Sequence, residues 1–517
     1  ETQAPVLKCH WQLDSMSWEV WVSLYVLLES LFYLLLWLWS RRWQRPLCAL
    51  RGDFPRAPRS PEDILKMVEH HMCRSRKDAE DFISNWHFGT PLKQIQRKDV
   101  EDFLAWSFFT RRRSELTQGE VSLITDCLER VEEKVGIVFG RESSLPGHPA
   151  SSQKFAAHTW ESDCGHHHFP LIVYLFMFAV KRIIGTPCLL LLGFRYRKQG
   201  VLRYWIRERD WSCARRSRAG PPEEVLLFFH GICPGLTVYL QYLMRFRHQT
   251  VILFELNWVT FNPLCTTVPT RDDFCNSVVD TLEANEISRV CLSAHSYGSF
   301  MVAWLLHCPR LSGKITRTVL VSPPALALFI AKTCKIVCYD KPFWFDYTLA
   351  HVFFRQFYWH HHVLTASDLP EGSTVVLSEH DELIPVSDVV RDCEEHRVRC
   401  YVEPSTKHAF EIVYPMACAK IVRFIRQGQG EPLNNDNGVR LFFHSARSSK
   451  LYSQICEWCL PALDAISSLI VMRGHSPFNL PMLLYLDELW PGGMRSWSQQ
   501  NLKSYVKDED DDEGKIQ

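Results

Sequence analysis

Six short apolar runs, separated by stretches long enough for helices, dominate residues 221 to 426: EVLLFFH (224–230), TVILFEL (250–256), RVCLSAH (289–295), TRTVLVS (316–322), STVVLS (373–378) and RVRCYVE (397–403). A strand wetted on one face alternates apolar and polar residues, whereas these runs are nearly continuous, as in strands buried on both faces. Strands buried on both faces and joined through helices form a parallel sheet. The expected fold is therefore α/β, a mostly parallel sheet with helices on both faces, over 221–426. One stretch breaks the rhythm. Residues 325–370 follow a strand and are aromatic-rich and helical in spacing, as in KPFWFDYTLAHVFFRQFYWHHHVL. Insertions after a strand's carboxyl end lie above the ligand crevice of such a sheet, so this one reads as a cap.

The run RVCLSA passes through HSYG into the helically spaced YGSFMVAWLLHC. Strand, sharp turn and helix are what a nucleophile elbow requires, with Ser296 at its tip. The turn is tight, so the residues two before and two after the serine must be small. They are Ala294 and Gly298, the alanine replacing the usual first glycine at the expense of one methyl group. Such a short match also arises by chance, and a serine in an ordinary turn reads the same way.

Three further features lie in the right order. The first run ends in HGICPG, His230 to Gly235. In this architecture a His-Gly turn supplies one backbone N–H to an oxyanion hole, and the residue after the nucleophile supplies the other. Ile232 and Tyr297 are the expected donors, with His230 and Gly231 supporting the turn. STVVLS runs into EHDELIP, which makes Asp381 the expected acid, with Glu379 and Glu382 as alternatives. EPSTKHAF then places His408 in a loop before a helix. Ser, Asp, His is the chain order of this fold. Neutral His408 would take the Ser296 proton and return it to the leaving group, while Asp381 fixes the imidazole tautomer.

These residues resemble the α/β-hydrolase superfamily. More closely, the chain is similar to a little-characterised group of membrane-associated members from fungi, algae and other protists. The matching stretches are ESLFYL, IQRKDVEDFLAWSFF, GFRYRKQGVLRYWIR, HGICPGL, AHSYGS, FFRQFYWHHHVLTASDLP and LSEHDELIP, from about residue 29 to residue 425. The resemblance implies a capped serine hydrolase and no particular substrate. Cys233 departs from the glycine more usual in that group.

Upstream, Val20 to Trp39 is apolar apart from Ser23, Glu29 and Ser30, long enough to cross a hydrocarbon core as a helix. Tryptophans flank it, and a cluster of arginines from Arg41 to Arg59 follows, which puts the bulk of the protein on the cytoplasmic-type side. Glu29 is costly in lipid and calls for a helix partner or headgroups. The alternative is a core helix of a globular protein. Residues 1–60 are thus the expected anchor and basic flank. Residues 61–220 read as a helical membrane-proximal region with a second apolar segment, Phe169 to Phe194, interrupted by Lys181, Arg182 and Pro187. That segment fits an interfacial helix. The basic, aromatic stretch after it, RYRKQGVLRYWIRERDWSCARRSR, suits anionic lipid headgroups better than nucleic acid. Residues 427–517 read as a linker, a helical extension and an acidic tail.

The remaining features exclude more than they assign. Basic and acidic residues balance at 58 each, so the chain is not a globally basic nucleic-acid binder. Nineteen cysteines are scattered, with one C-x-x-C (Cys456, Cys459), and read as free thiols of a reducing compartment. His166 to His168 read as a solvated loop, since three consecutive histidines on a regular element cannot all face one ion. No cofactor or metal is expected. The sequence begins at Glu1, which fits a removed presequence or a longer parent chain without deciding between them. Two functions follow: a membrane-associated serine esterase or lipase acting on a lipid-like ester, or an accessory subunit of a membrane protein complex that keeps the hydrolase fold.

Overall fold

The computed structural model describes residues 17–43, 59–109, 111–139, 169–208, 224–246, 249–262, 265, 268–337, 361–413 and 415–427. The histidine run, the centre of the cap, the C-x-x-C, the linker and the acidic tail lie outside the described residues.

Eight strands form one sheet: β1 Arg195–Gln199, β2 Leu202–Arg207, β3 Val225–Phe229, β4 Val251–Glu255, β5 Val290–His295, β6 Ile315–Val321, β7 Thr374–Ser378 and β8 Arg399–Glu403. Their order is β1-β2-β4-β3-β5-β6-β7-β8. β4, β3, β5, β6, β7 and β8 are mutually parallel, and β2 is antiparallel to both neighbours. This is the α/β-hydrolase fold. The six apolar runs are β3 to β8, and every residue of β3, β4, β5 and β7 is buried.

The sheet also corrects the boundary drawn at residue 221. β1 and β2 lie inside the stretch assigned to the membrane-proximal region, yet β2 pairs with β4 along its length. Leu202, Tyr204 and Ile206 point into the core while Arg203 faces solvent. On an edge hairpin, arginines keep the outer strand from pairing with other chains. They also hid the strand periodicity among basic residues.

The helices before the sheet are α1 Trp18–Trp43, α2 Pro61–Met72, α3 Arg76–Trp86, α4 Arg97–Phe109, α5 Gln118–Val135 and α6 Leu171–Ala179, which continues through a π turn, Val180–Gly185, into α7 Thr186–Leu191. Serine or threonine caps start three of them: Ser60, Ser75 and Thr117 each accept a backbone N–H from three residues on. α2 to α5 share one hydrophobic core with the sheet. At the contact, the Trp86 indole N–H donates to the Phe329 carbonyl at 2.9 Å, and His71 meets the Phe329 ring edge-on at 5.3 Å. Residues 61–139 are thus packed onto the base of the cap insertion. That insertion leaves the sheet after β6, and its two described ends are joined by a bridge between Leu326 and Leu364.

Two helical stretches of 21 residues, Trp18–Leu38 and Leu171–Leu191, are long and apolar enough to cross a membrane, and only 6% and 17% of them is buried. Neither is mostly buried. Glu29 finds its partner within the chain: its carboxylate accepts the Leu171 N–H at 2.7 Å and the Tyr25 hydroxyl at 3.2 Å. A carboxylate there caps the first turn of α6, whose N-terminal residue, Pro170, offers no side-chain cap. Phe32 packs edge-on against Tyr174 one turn further along both helices.

The other helices surround the sheet: α8 Leu240–Leu243, α9 Arg271–Ala284, α10 Gly298–Leu306, α11 Ala331–Lys335, α12 Val386–Glu395, α13 Phe410–Val413 and α14 Pro415–Gln427. The cysteines among the described residues are free.

Candidate active site

Three strand ends converge. β5 ends at His295, and Ser296 follows with φ of 49°, in the left-handed region a side chain seldom adopts. Its N–H is held by the Val321 carbonyl at the end of β6, at 3.0 Å, and α10 begins two residues later. Such a strained turn lifts the hydroxyl out of both strand and helix. The small flanking residues are required by the packing. Ala294 is fully buried, in register with Phe229 on one side and Leu320 on the other. A Cβ on Gly298 would sit 2.2 Å from the Phe229 carbonyl oxygen. Nothing larger than glycine lets α10 approach β3 this closely.

The Ser296 hydroxyl donates to His408 Nε2 at 2.8 Å, and His408 Nδ1–H donates to Asp381 Oδ2 at 2.8 Å. The neighbours assign this tautomer, because an ionised carboxylate only accepts. The Leu383 and Ile384 N–H groups donate to Asp381 Oδ1 at 2.9 and 3.0 Å. Burial raises the Asp381 pKa, but His408 and those amides outweigh it and hold the carboxyl below its usual range. Burial weakens His408 as a base, and the adjacent Asp381 carboxylate overrides that and lifts its pKa to about 9. The alternative acids stand elsewhere. Glu379 accepts the Ser405 N–H at 2.7 Å, and Glu382 faces the His408 backbone N–H at 3.4 Å, away from the ring.

The HGICPG turn lies against the serine. A Cβ on Gly231 would meet Ser296 Cβ and His295 Nδ1, each at 3.0 Å, so glycine is needed for close approach. Gly231 N–H donates to the Tyr239 hydroxyl at 2.9 Å, and Cys233 N–H donates to the Val259 carbonyl at 3.2 Å. Between them, the Ile232 N–H meets no acceptor among the described residues. Tyr297 stands at the N-terminus of α10, directly after Ser296. His230 is a clamp: Nδ1–H donates to the Gly231 carbonyl at 2.7 Å, and Nε2 accepts the Leu256 N–H at 2.9 Å. Burial pushes its pKa down to about 4, so it stays neutral and ties the turn to the end of β4. Cys233 is a buried thiol that donates to the Gly235 carbonyl at 3.0 Å, with burial pushing its pKa up to about 12. It occupies the glycine-favoured position as a small apolar residue.

Two buried groups near the site carried no sequence signal. His295 Nδ1 accepts the Tyr239 hydroxyl at 2.8 Å, and its Nε2 faces the Glu411 carboxylate at 3.8 Å. Glu411 is fully buried, accepts the Ser378 hydroxyl at 2.6 Å, and is held above the usual carboxyl range by burial. Its charge also raises the basicity of His408. A glutamate three residues after the histidine, in FEIV, has no local pattern that marks it as buried. Lys332, in the cap insertion, donates to the Asp381 and Ile384 carbonyls at 2.8 and 2.6 Å and braces the acid's loop.

A hydroxyl, an imidazole and a buried carboxylate in hydrogen-bonded series, beside backbone donors, can generate an alkoxide nucleophile when the imidazole is neutral and stabilise the oxyanion it creates.

No known family profile matches the chain, and no curated protein does. Among solved structures the chain is similar to a membrane phospholipase A described as a bacterial virulence factor, with 10% identity over 50% of this chain and 94% of that one and a TM-score of 0.36. It is similar to an esterase of the archaeon Pyrobaculum calidifontis, with 12% identity over 51% of this chain and 99% of that one and a TM-score of 0.34. Naproxen esterase of Bacillus subtilis gives 12% identity, 49% and 97% coverage and a TM-score of 0.32. At these identities and TM-scores the similarity carries no argument beyond the sheet order already described.

Proposed function

We propose that the protein is a membrane-associated serine hydrolase that cleaves a carboxylic ester of lipid-like character. The observation that carries the reading is the series Ser296–His408–Asp381, two hydrogen bonds of 2.8 Å each, with the serine on a strained elbow. In this reading His408 removes the Ser296 proton as the hydroxyl oxygen attacks the ester carbonyl. The N–H groups of Ile232 and Tyr297 receive the oxyanion. The tetrahedral intermediate collapses to an acyl-enzyme as His408 gives its proton to the departing alkoxide. Water, deprotonated by His408, then releases the acid and restores Ser296. Asp381 holds the imidazole and stays ionised throughout. A serine nucleophile disfavours epoxide or haloalkane hydrolysis, which use a carboxylate.

The lipid-like substrate and the bilayer as partner are supported by the two exposed apolar helices and by the aromatic composition of the cap insertion. The position of the hydrolase sheet on the cytoplasmic-type side is supported by the arginines that follow α1. The accessory-subunit reading takes Glu29, the two aromatic-rich apolar segments and the C-terminal extension as partner surfaces, and of these Glu29 has an internal partner at Leu171.

The test is labelling of the full-length protein in membranes with a fluorophosphonate, alongside a known serine hydrolase in the same sample. We expect covalent modification of Ser296, identified by peptide mapping and absent in Ser296→Ala. If the control labels and Ser296 does not, the catalytic reading is wrong.

A further inference from the structure

A cleft of about 550 Å³ opens between the α6–α7 helix and the segment that follows β4. Its lining includes the apolar and aromatic side chains of Tyr174, Met177, Phe178 and Phe261. It also includes Lys181, Arg182 and Arg203, and among the described residues no carboxylate lines it. Lys181 is already engaged: its ammonium donates to Asn257 Oδ1 at 2.9 Å and lies 3.5 Å from the Glu255 carboxylate. Arg182 and Arg203 are exposed and make no ion pair among the described residues. Arg182 lies with its guanidinium carbon 5.8 Å from the Phe178 ring centre. Phe261 holds its place at φ of 51°, a strained conformation for an aromatic residue, and packs on Phe169 at 6.3 Å.

Two free guanidinium groups beside an aromatic trough fit an amphipathic anion, and arginine's fork suits phosphate oxygens. The trough borders the outer face of α6, where Ile172, Leu175 and Phe178 recur at every third position and are 49%, 56% and 60% exposed. A lipid could enter it from a bilayer along that face. The far wall is also the backing of the oxyanion turn: the Trp258 indole N–H donates to the Tyr297 hydroxyl at 3.0 Å, and Leu256 N–H donates to His230.

We propose that this cleft binds one anionic phospholipid, its phosphate on Arg182 and Arg203 and an acyl chain along Tyr174, Phe178 and Phe261. The inference rests on the bilayer-facing reading of α1 and α6 and not on turnover at Ser296. It places a lipid-recognition site against the segment that holds the turn next to the nucleophile.

The test uses the full chain carrying Ser296→Ala, in detergent, with dihexanoyl phosphatidate and dihexanoyl phosphatidylcholine as probes in equilibrium dialysis. We expect a preference for phosphatidate that falls about thirtyfold in Arg182→Gln/Arg203→Gln, each cationic side chain contributing several-fold at a lipid headgroup. Arg195→Gln/Arg197→Gln, on the exposed edge strand outside the cleft, should change it by less than about threefold. Fluorophosphonate labelling of the Arg182→Gln/Arg203→Gln protein with Ser296 intact checks that it is folded. Equal binding of the two lipids, or equal losses in the two double variants, overturns the proposal. So does displacement by glycerol 3-phosphate, which would make it a small-phosphate site, or equally tight binding of oleate. In a parallel arm, failure of the wild-type chain to sediment with any vesicle would sink the bilayer reading, whereas failure of dihexanoyl phosphatidate to bind would sink the cleft.

Discussion

The Ser296 site and the α1–α6 helix pair treat polar groups in opposite ways. Around Ser296, charged and polar side chains are buried and nearly all have assigned partners: Asp381 takes three hydrogen bonds and His230 two. On α1 and α6 the exposed surface is largely apolar, with Leu27 56%, Leu35 65% and Phe178 60% exposed, and the carboxylate inside the apolar stretch, Glu29, is tied down internally. A buried polar group costs free energy unless it is hydrogen-bonded, and an exposed apolar helix costs it in water but not against lipid. In the proposed reading, one region is built for a fixed electrostatic geometry and the other for a different solvent.

The sharpest way to break this comparison is at the nucleophile. Ser296→Ala should lower kcat/KM on an activated ester by about 10⁶-fold with no loss of thermal stability, because the substitution removes the reacting group and no buried partner but His408. Activity that persists at the wild-type level would move the chemistry elsewhere. Asp381→Asn should cost about 10⁴-fold, and it should move the pH profile. His408 acts as a base only when neutral, so with a pKa near 9 the acid limb of kcat/KM should lie well above 6.5 in the wild-type protein. Without the carboxylate, burial prevails and the limb should fall below 6.5. Stability runs the other way. A folded-state pKa raised above the unfolded value gives a contribution that is complete below 6.5 and is lost as pH rises through about 9. Activity and stability should therefore change in opposite directions across that window, as pH-dependent kinetics and calorimetry would record.

Gly298→Ala tests the packing that positions the site. Its methyl would fall 2.2 Å from a backbone oxygen, so α10 or β3 must move. A destabilisation of about 3 kcal/mol is expected, measured by denaturant unfolding in detergent. The smallest effect on the fold is expected from Leu27→Gln/Leu34→Gln on α1. Both side chains are exposed, so stability in detergent should change by less than about 0.5 kcal/mol. Retention in washed membranes should nevertheless fall. An equal loss of stability would mean that α1 packs against protein after all.

Much of this was legible in the chain. β3 to β8 announced themselves because strands buried on both faces are continuous in apolarity. Ser296, Asp381 and His408 stood out because each follows such a strand in the order the fold demands. β1 and β2 were hidden, since edge strands carry arginines for solvent and against aggregation. Glu411 and His295 were hidden as well. A buried glutamate in FEIV and a histidine beside the nucleophile have no local pattern, because their partners, Ser378 and Tyr239, come from distant segments.

Apolar periodicity and small residues around one serine were enough to determine the class of fold, its parallel core and the candidate elbow in AHSYG. Both are local properties of the chain, set by burial and by backbone sterics. Which of three acids meets His408, what satisfies Glu29, and how the α6 helix and the segment after β4 enclose a basic, aromatic cleft were decided only by tertiary structure. Those outcomes depend on distances between residues far apart in sequence, and side-chain partnership across such separations leaves no periodic trace.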